Sequence, residues 1–216
     1  MEGIRSAVIL AGGAGRRIGG DKAAMEFLGR TMIERVVDRV RDVALDVVVM
    51  VRDEPQRRRI QRLVPDARVV CDQVSGYGPV AGLATGMEAA RGDWSLAAGC
   101  DLPFISPEVF DVLFRLADGH DAAVPQREDG VLETLHAVYR SGPMAEACRR
   151  AILGGERRIV APLETLRVNR VPVDRLRSAD PRLLSFFNVN TKEDLREASR
   201  VWEASQMYPW SRRYTR

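Results

Sequence analysis

The sequence predicts a single α/β domain with a Rossmann-like, doubly wound and mostly parallel sheet. Two observations carry this prediction. Short, wholly apolar runs at residues 7–10 and 47–51 are typical of strands that are buried on both faces, as in a parallel sheet. Segments with apolar residues at helical spacing alternate with such runs, and neither a Pro/Ser-rich linker nor a repeat interrupts them.

The first half of the chain contains three predicted strands and the helices that connect them. Thr31 and Glu34 have the spacing of a capping box, and apolar residues then recur at 33, 36, 37, 40 and 43. Pro55 can open a second helix that runs through Ile60 and Leu63. A loop from Gly76 leads into a third helix that ends near Ala90. The predicted strands are residues 7–10, 47–51 and 69–71.

The second half continues the alternation of strands and helices. Thr191, with Asp194 three positions later, predicts the start of the last helix. We expect one domain over residues 1–206, followed by a basic, aromatic tail at 207–216 that lacks an apolar period. The predicted strands are residues 96–98, 122–124 and 135–139, and the predicted helices are residues 107–116, 144–153 and 191–207.

The charge distribution argues against a nucleic-acid-binding protein. The formal net charge is +3, and the last ten residues hold Arg212, Arg213 and Arg216 without an acidic residue. The surplus of positive charge therefore lies in the tail, and the rest of the chain is neutral. A nucleic-acid-binding face would need an excess of basic over acidic residues.

The cysteines and the apolar runs point to a cytoplasmic protein. Cys71, Cys100 and Cys148 are odd in number and form no C-x-x-C pair, which argues against a disulfide framework or a structural zinc site. No apolar run approaches the roughly 18 residues of a membrane span. Residues 6–11 are too short for the apolar region of a signal peptide, so we expect a reduced, cytoplasmic location without membrane association.

A glycine-rich turn directly follows the first strand. Five of the nine residues from 12 to 20 are glycine, which lets backbone N–H groups approach an anion closely. The spacing fits neither a P-loop, since Asp21 stands where lysine is required, nor a dinucleotide fingerprint, since Ile18 replaces the third glycine. The cations Arg16, Arg17 and Lys22 would suit a triphosphate. The alternative is a tight turn with solvated arginines.

An acidic residue, Asp101, follows the fourth strand of the chain. Parallel strands end at the edge of the sheet where open α/β folds bind ligands, and Mg²⁺ is normally held by one or two carboxylates together with substrate phosphates. Position alone leaves a second interpretation open, in which Asp101 caps a turn before Pro103.

Several blocks of the sequence carry a family signature in order along the chain. Residues 10–22 match the pattern L-A-[GA]-G-x-x-x-R-[MI]-G-x-D-K. The further blocks are Asp72 with residues 78–82, residues 100–103, residues 155–158 and residues 187–195. Together they resemble the molybdenum cofactor guanylyltransferases, which are MobA-like nucleotidyltransferases with a fold like that of nucleotide-diphospho-sugar transferases. Gly12 is typical of this family, whereas the related cytidylyltransferases usually have alanine there.

The resemblance implies a GTP site with one metal ion. Arg16, Lys22 and Asp101 would be catalytic, with Asp101 holding Mg²⁺ or, as the alternative ion, Mn²⁺. Arg52 and Asp53 stand where relatives often have an asparagine that contacts the nucleotide, so base recognition is the least defined part of this site. The alternative for residues 78–82 is a turn that contains glycines for conformational reasons alone and contacts no nucleotide. The implied nucleotide-binding residues are Leu10, Ala11, Gly12, Gly13, Lys22, Asp72, Gly78, Gly82 and Asp101.

The resemblance also implies an acceptor site for the pterin cofactor. Arg157 and Arg158 would grip a terminal phosphate, and Asn188 and Asn190, which alternate along an extended segment, would pair with the pterin. The alternatives are a solvated arginine pair and, for Asn190, a helix cap.

Two further residues are interpreted as structural. His136 lies on an otherwise apolar strand, which favours a core histidine with satisfied hydrogen bonds over a substrate contact. Cys100 is interpreted as buried packing rather than as a nucleophile.

The expected reaction moves GMP from GTP to the phosphate of molybdenum–molybdopterin and releases pyrophosphate. The alternatives are a related nucleotidyltransferase that uses CTP or another phosphorylated acceptor, and a non-catalytic GTP-binding module. Expected partners are these small molecules, with transient contacts to cofactor-biosynthesis proteins or molybdoenzyme chaperones, and neither nucleic acid nor a membrane.

Overall fold

The computed structural model describes residues 3–13, 20–72 and 77–206. It contains a seven-stranded sheet and a separate two-stranded hairpin. The strands are β1 (Arg5–Leu10), β2 (Glu26–Phe27), β3 (Arg30–Thr31), β4 (Asp46–Val51), β5 (Arg68–Cys71), β6 (Trp94–Gly99), β7 (Ala122–Gln126), β8 (His136–Arg140) and β9 (Val168–Pro172). The α-helices are α1 (Met32–Val40), α2 (Glu54–Leu63), α3 (Pro79–Ala89), α4 (Pro107–Leu116), α5 (Ser141–Leu153) and α6 (Lys192–Gln206).

The sheet has the strand order β5-β4-β1-β6-β8-β7-β9. Strands β5, β4, β1 and β6 are mutually parallel, β9 is parallel to β7, and β8 is antiparallel to both of its neighbours. The sheet is therefore mostly parallel, which confirms the predicted fold class. Parallel pairing aligns the carboxyl ends of β5, β4, β1 and β6 along one edge.

Helices cover both faces of the sheet. Along β1, Ala7 and Ile9 belong to one buried cluster with residues of α1, α2 and α4. Val8, between them, belongs to a second cluster with residues of α3 and α5. This alternation follows from the two-residue period of a strand. It gives each face of the sheet its own core and explains why the central strands contain unbroken apolar runs such as residues 7–10 and 47–51.

Two helices begin with the capping interactions that the sequence predicts. Thr31 and Glu34 form the predicted capping box of α1. At the start of α6, the Thr191 hydroxyl accepts from the Asp194 amide at 3.1 Å, and the Asp194 carboxylate accepts from the Thr191 amide at 2.8 Å. Helix α5 begins at Ser141, three residues before the predicted start.

Some elements lack the apolar runs by which strands are predicted. Of β9, only Val171 is fully buried, so this strand has no continuous apolar pattern. The hairpin of β2 and β3 is too short for a period and turns through Leu28 and Gly29, which both have positive φ. The predicted tail at 207–216 lies outside the described residues.

Candidate active site

An open cleft lies at the carboxyl edge of the parallel strands. Its volume is about 360 Å³. The lining comes from the ends of β1, β4, β5 and β6 and from the start of α3, as expected for a ligand site in an open α/β sheet. The lining residues are Leu10, Gly12, Gly13, Lys22, Met50, Val51, Arg52, Asp72, Gly78, Pro79, Gly82, Gly99, Cys100, Asp101 and Leu135.

Most of the predicted nucleotide-binding residues line this cleft. The exception among the described ones is Ala11, whose side chain is fully buried and whose backbone N–H donates to the Met50 carbonyl at 2.8 Å. Ala11 thus fixes the end of β1 against β4 rather than lining the cleft. Arg16 lies outside the described residues, and its predicted role stays a prediction.

Three predicted residues from distant parts of the chain meet at one end of the cleft. The Lys22 ammonium donates to Asp101 Oδ2 at 3.2 Å and to Asn190 Oδ1 at 2.6 Å. The Val189 amide donates to the Asp101 carbonyl at 2.9 Å, which holds the segment before α6 against the end of β6. The side chain of Asn190 therefore faces Lys22, and the interpretation of that side chain as a helix cap is wrong.

Asp101 is the carboxylate of this group. Its side chain pairs with Lys22 and is about a quarter exposed, with a fractional exposure of 24%. Within the described ranges, no group of three or more His, Cys, Asp or Glu side chains is arranged to hold a metal ion. A single accessible carboxylate fits Mg²⁺, which completes its coordination with substrate phosphates and water.

The opposite end of the cleft is shaped by glycines at the start of α3. Gly78 has a φ of +61° and precedes Pro79, the first residue of the helix. A Cβ atom on Gly82 would lie 3.3 Å from Leu10 Cδ2 and 3.8 Å from Asp72 Oδ2. A side chain at position 82 would thus project between two lining residues of the cleft, and glycine keeps this space free.

Arg52 and Asp53 have local structural partners at the end of β4. The Asp53 carboxylate accepts from the Gln56 amide at 2.8 Å and caps α2. This backbone hydrogen bond is the main cause that lowers the pKa of Asp53. Arg52 Nε donates to Asp53 Oδ2 at 3.0 Å, while Arg52 also lines the cleft.

The sequence interpretation missed a buried glutamine in α2. Gln56 is 1% exposed, and its Nε2 atom donates to the Ala11 carbonyl and to Asp21 Oδ2, both at 2.9 Å. Its Oε1 atom accepts from the Arg52 amide at 3.0 Å. Gln56 lies one helical turn before Ile60, on the face of α2 where an apolar residue is expected. A polar residue at such a position is the sequence feature that could have identified it.

A second cavity adjoins the cleft at Asp101. It has a volume of about 220 Å³ and shares Gly99, Asp101 and Leu135 with the cleft. Asn188 lines it, together with Thr134 and His136. Asn188 and Asn190 therefore both reach the surroundings of Asp101, as their alternation along the chain predicts.

The two predicted acceptor arginines have separate surroundings. The Arg157 guanidinium lies 5.8 Å from the ring centroid of Tyr77, the residue before Gly78. Arg158 donates to the Glu156 carboxylate at 3.1 Å, and its side chain is 71% exposed. Within the described lining of the cleft and of the second cavity, neither arginine appears.

His136 is buried, as the sequence predicts, and is enclosed by aromatic rings. Its ring stacks on Phe110 at 4.7 Å and packs against Phe186 at 4.5 Å. Burial lowers the pKa of His136 to about 3, opposed by the Asp180 charge and the Ser185 backbone. Neither ring nitrogen meets hydrogen-bond geometry with a described residue. The burial of His136 is therefore confirmed, and the prediction of satisfied hydrogen bonds stays a prediction.

Cys100 is buried beside Asp101, and burial raises the pKa of its thiol. A neutral buried thiol is a poor nucleophile, which agrees with the packing role assigned from the sequence. In the described part of the chain, no helix combines the length and apolar character that crossing a membrane requires.

Comparisons with known proteins agree on one family. The model of the MobA-like NTP transferase domain matches residues 7–168. A probable molybdenum cofactor guanylyltransferase from Methanosarcina mazei is 38% identical over 199 residues, covering 89% of this chain and 88% of its own length. A molybdenum cofactor guanylyltransferase from Desulfosudis oleivorans is 36% identical over 202 residues, covering 93% and 96%. The crystal structure of molybdopterin-guanine dinucleotide biosynthesis protein A from Archaeoglobus fulgidus has a TM-score of 0.81 and 34% identity, covering 92% and 99%.

Proposed function

The chain belongs to the MobA-like NTP transferase family, and on this premise we propose that it transfers GMP from GTP to the terminal phosphate of molybdenum–molybdopterin. The products are the guanine dinucleotide form of the cofactor and pyrophosphate. The observation that carries the proposal is the meeting of Lys22, Asp101 and Asn190 at the end of the cleft. This meeting supports the proposal, because a cation suits a triphosphate and a carboxylate suits the metal ion that accompanies it.

The proposed reaction needs no nucleophile from the protein. An oxygen of the acceptor phosphate forms a bond to the α-phosphorus of GTP, and the bond from that phosphorus to the oxygen bridging to the β-phosphate breaks. Pyrophosphate leaves with the electron pair of that bond. Catalysis then consists of positioning and of electrostatic stabilisation.

Each part of the site has a proposed task. The nucleotide is held by Leu10, Gly12 and Gly13, and the backbone of Ala11 supports this segment. The triphosphate is held by the cations Arg16 and Lys22. Asp72, Gly78 and Gly82 form the base end of the cleft. Asp101 would hold Mg²⁺, for which Mn²⁺ is the alternative ion, and the bound ion would supply positive charge against the phosphate oxygens.

The acceptor is proposed to enter from the second cavity. Asn188 and Asn190 would contact the pterin, whose ring carries both donors and acceptors. Arg157 and Arg158 would contact acceptor phosphate or its approach path. We further propose a cytoplasmic site of action, where cofactor-biosynthesis proteins or molybdoenzyme chaperones deliver or receive the pterin.

The test is a reconstituted reaction with purified chain, molybdenum–molybdopterin, Mg²⁺ and GTP. We expect stoichiometric formation of pyrophosphate and of the guanine dinucleotide, with little reaction when CTP replaces GTP. Equal or faster reaction with CTP would assign the chain to cytidylyl transfer. Binding of GTP without pyrophosphate release would identify a non-catalytic module and contradict the proposal.

A further inference from the structure

The side chain of Gln56 joins three segments that border the cleft. Its amide nitrogen donates to the Ala11 carbonyl and to the Asp21 carboxylate, and its oxygen accepts from the Arg52 amide. Both amide hydrogens and the oxygen are therefore engaged in a side chain that is 1% exposed. A buried polar side chain that is fully satisfied in this way holds its partners in one arrangement.

The two acceptors of the Gln56 amide lie on either side of the glycine-rich segment 12–20 in the sequence. Ala11 follows the end of β1, and Asp21 directly precedes Lys22. One nitrogen atom thus fixes where the chain enters residues 12–20 and where it leaves them. Its contact with Asp21 places the end of this segment relative to β4 and α2.

Asp21 transmits this placement to Lys22. The Asp21 carboxylate also accepts from Arg59 Nη2 and, at 3.2 Å, from the Ala23 amide, so it caps the short helical turn that Lys22 begins. Lys22 in turn contacts Asp101 and Asn190. Gln56 therefore fixes Asp21 by a hydrogen bond, and the peptide bond from Asp21 to Lys22 carries this placement to the residue whose ammonium group contacts Asp101 and Asn190.

We propose that Gln56 is a positioning residue, which acts through Asp21 to set the Lys22 ammonium for binding the triphosphate. This inference rests on the proposed function, because it assigns Gln56 to the phosphate end of the GTP site. An amide suits the position because it supplies two donors and one acceptor. A carboxylate would repel Asp21, and an apolar side chain would leave the Ala11 carbonyl and the Asp21 carboxylate without this partner.

The same helix offers a matched control in Gln61. Its amide donates to the Pro65 and Ala67 carbonyls at 3.1 and 3.0 Å, at the end of α2 away from the cleft. Gln56→Ala and Gln61→Ala therefore each remove a glutamine with several backbone contacts from one helix. We expect both variants to have a lower melting temperature than the parent chain.

Calorimetric titration with Mg²⁺-GTP and with guanosine distinguishes an effect on triphosphate binding from an effect on the rest of the cleft. We expect Gln56→Ala to weaken GTP binding about tenfold, as for the loss of one hydrogen bond to a charged partner, and to leave guanosine binding unchanged. Gln61→Ala should bind both as the parent chain does. If Gln56→Ala does not fold, Gln56→Met, which keeps the length of the side chain, provides the same comparison.

The variant Gln56→Glu adds a pH-dependent readout. A glutamate placed beside Asp21 repels it when ionised but can donate a hydrogen bond to it when protonated. Burial and the Asp21 charge favour the protonated form, whereas the Arg59 guanidinium, which contacts the same Asp21 oxygen, favours the ionised form. The GTP affinity of Gln56→Glu relative to the parent chain should therefore rise as the pH falls from about 8 to about 6, while that of Gln56→Ala stays level.

The outcomes separate this inference from the proposed function. If the parent chain binds GTP and Gln56→Ala or Gln56→Met binds it equally well, the positioning role is overturned and the function stands. Parallel losses for GTP and guanosine would also overturn it, since they indicate general damage to the cleft. If the parent chain binds no Mg²⁺-GTP, the proposed function fails, and the inference fails with it.

Discussion

The ammonium nitrogen of Lys22 lies 2.6 Å from Oδ1 of Asn190, although 168 positions separate the two residues in the chain. A second contact, to Asp101, engages another of the three ammonium donors. Within the described residues, these two contacts leave one donor for an oxygen of a substrate phosphate. The contact therefore links the end of the cleft proposed to bind the phosphates to the segment of Asn188 and Asn190, which are proposed to contact the acceptor.

Removing Lys22 or Asp101 should abolish most of the activity while the fold survives. Lys22→Ala removes a cation that would stabilise charge on the triphosphate, and Asp101→Ala removes the carboxylate proposed to hold Mg²⁺. The loss of one such electrostatic contact typically costs about 10²–10³ in turnover. The measurement is the rate of pyrophosphate release in a single turnover, with circular dichroism to follow the fold.

The chain has one other lysine, which serves as the control. Lys192 is exposed at the start of α6, so Lys192→Ala removes the same charge outside the site. It should keep the turnover of the parent chain. Near-normal rates for both Lys22→Ala and Asp101→Ala would contradict the site assignment.

Two glycines of α3 should respond differently to a methyl group. At Gly86 a Cβ would lie 2.3 Å from Val8 Cγ1 and 3.1 Å from Met50 Cγ, inside the core. Such overpacking costs about 1–3 kcal/mol, so Gly86→Ala should lower the free energy of unfolding in urea. At Gly82 the methyl group would contact Leu10 at the cleft. Gly82→Ala should therefore weaken Mg²⁺-GTP binding, and the gain in helix propensity, up to about 1 kcal/mol, limits its effect on stability.

The two glycine variants are each other's control. For each variant, titration with Mg²⁺-GTP gives the affinity and unfolding in urea gives the free energy of unfolding. Gly82→Ala should show the larger change in affinity and Gly86→Ala the larger change in stability. A Gly82→Ala variant with normal GTP affinity would show that the base end of the cleft lies elsewhere.

Strand ends predicted part of the cleft, and the family resemblance supplied its other residues, such as Lys22, Gly78 and Gly82. Leu10 ends β1, and Arg52, Asp72 and Asp101 follow the ends of β4, β5 and β6 by one or two residues; parallel strands bring these ends to one edge. The match of residues 7–168 to the MobA-like model confirms the family resemblance that these motifs carry.

Other features depend on packing that no sequence pattern records. Gln56 joins Ala11, Asp21 and Arg52 only because α2 packs beside β4, and nothing local marks those partners. The division between Arg157, beside Tyr77, and Arg158, paired with Glu156, is likewise a matter of side-chain direction. Two adjacent arginines cannot be told apart by residue type alone.

This division predicts different effects for the two arginines. Arg157 lies beside the residue that precedes Gly78 of the cleft, whereas the salt bridge of Arg158 with Glu156 is exposed and contributes little. If Arg157 contacts the acceptor phosphate, Arg157→Ala should lower turnover at low acceptor concentration about tenfold. Weaker GTP binding in this variant would instead assign Arg157 to the base end of the cleft, beside Gly78. Arg158→Ala should have a smaller effect. Steady-state rates at varied acceptor concentration make the comparison, and equal losses for both variants would contradict it.

The buried His136 should make the stability depend on pH. Its pKa in the folded protein is about 3, below the ordinary value of 6.5, so the unfolded chain binds a proton in this interval that the folded protein does not. The free energy of unfolding should therefore fall as the pH drops below about 6.5, by about 1.4 kcal/mol per pH unit from this residue, until the folded pKa is reached. Above the unfolded pKa the residue makes no such contribution.

Replacing His136 with an apolar side chain should remove this slope. His136→Leu keeps a side chain of similar size between Phe110 and Phe186 and cannot take up a proton. Urea unfolding of both proteins between about pH 7 and about pH 5 should show a stability difference that is constant above the unfolded pKa and shifts in favour of His136→Leu below it. If the two proteins lose stability in parallel over this interval, then His136 takes up its proton in the folded protein, and the surroundings of the ring must admit the charge.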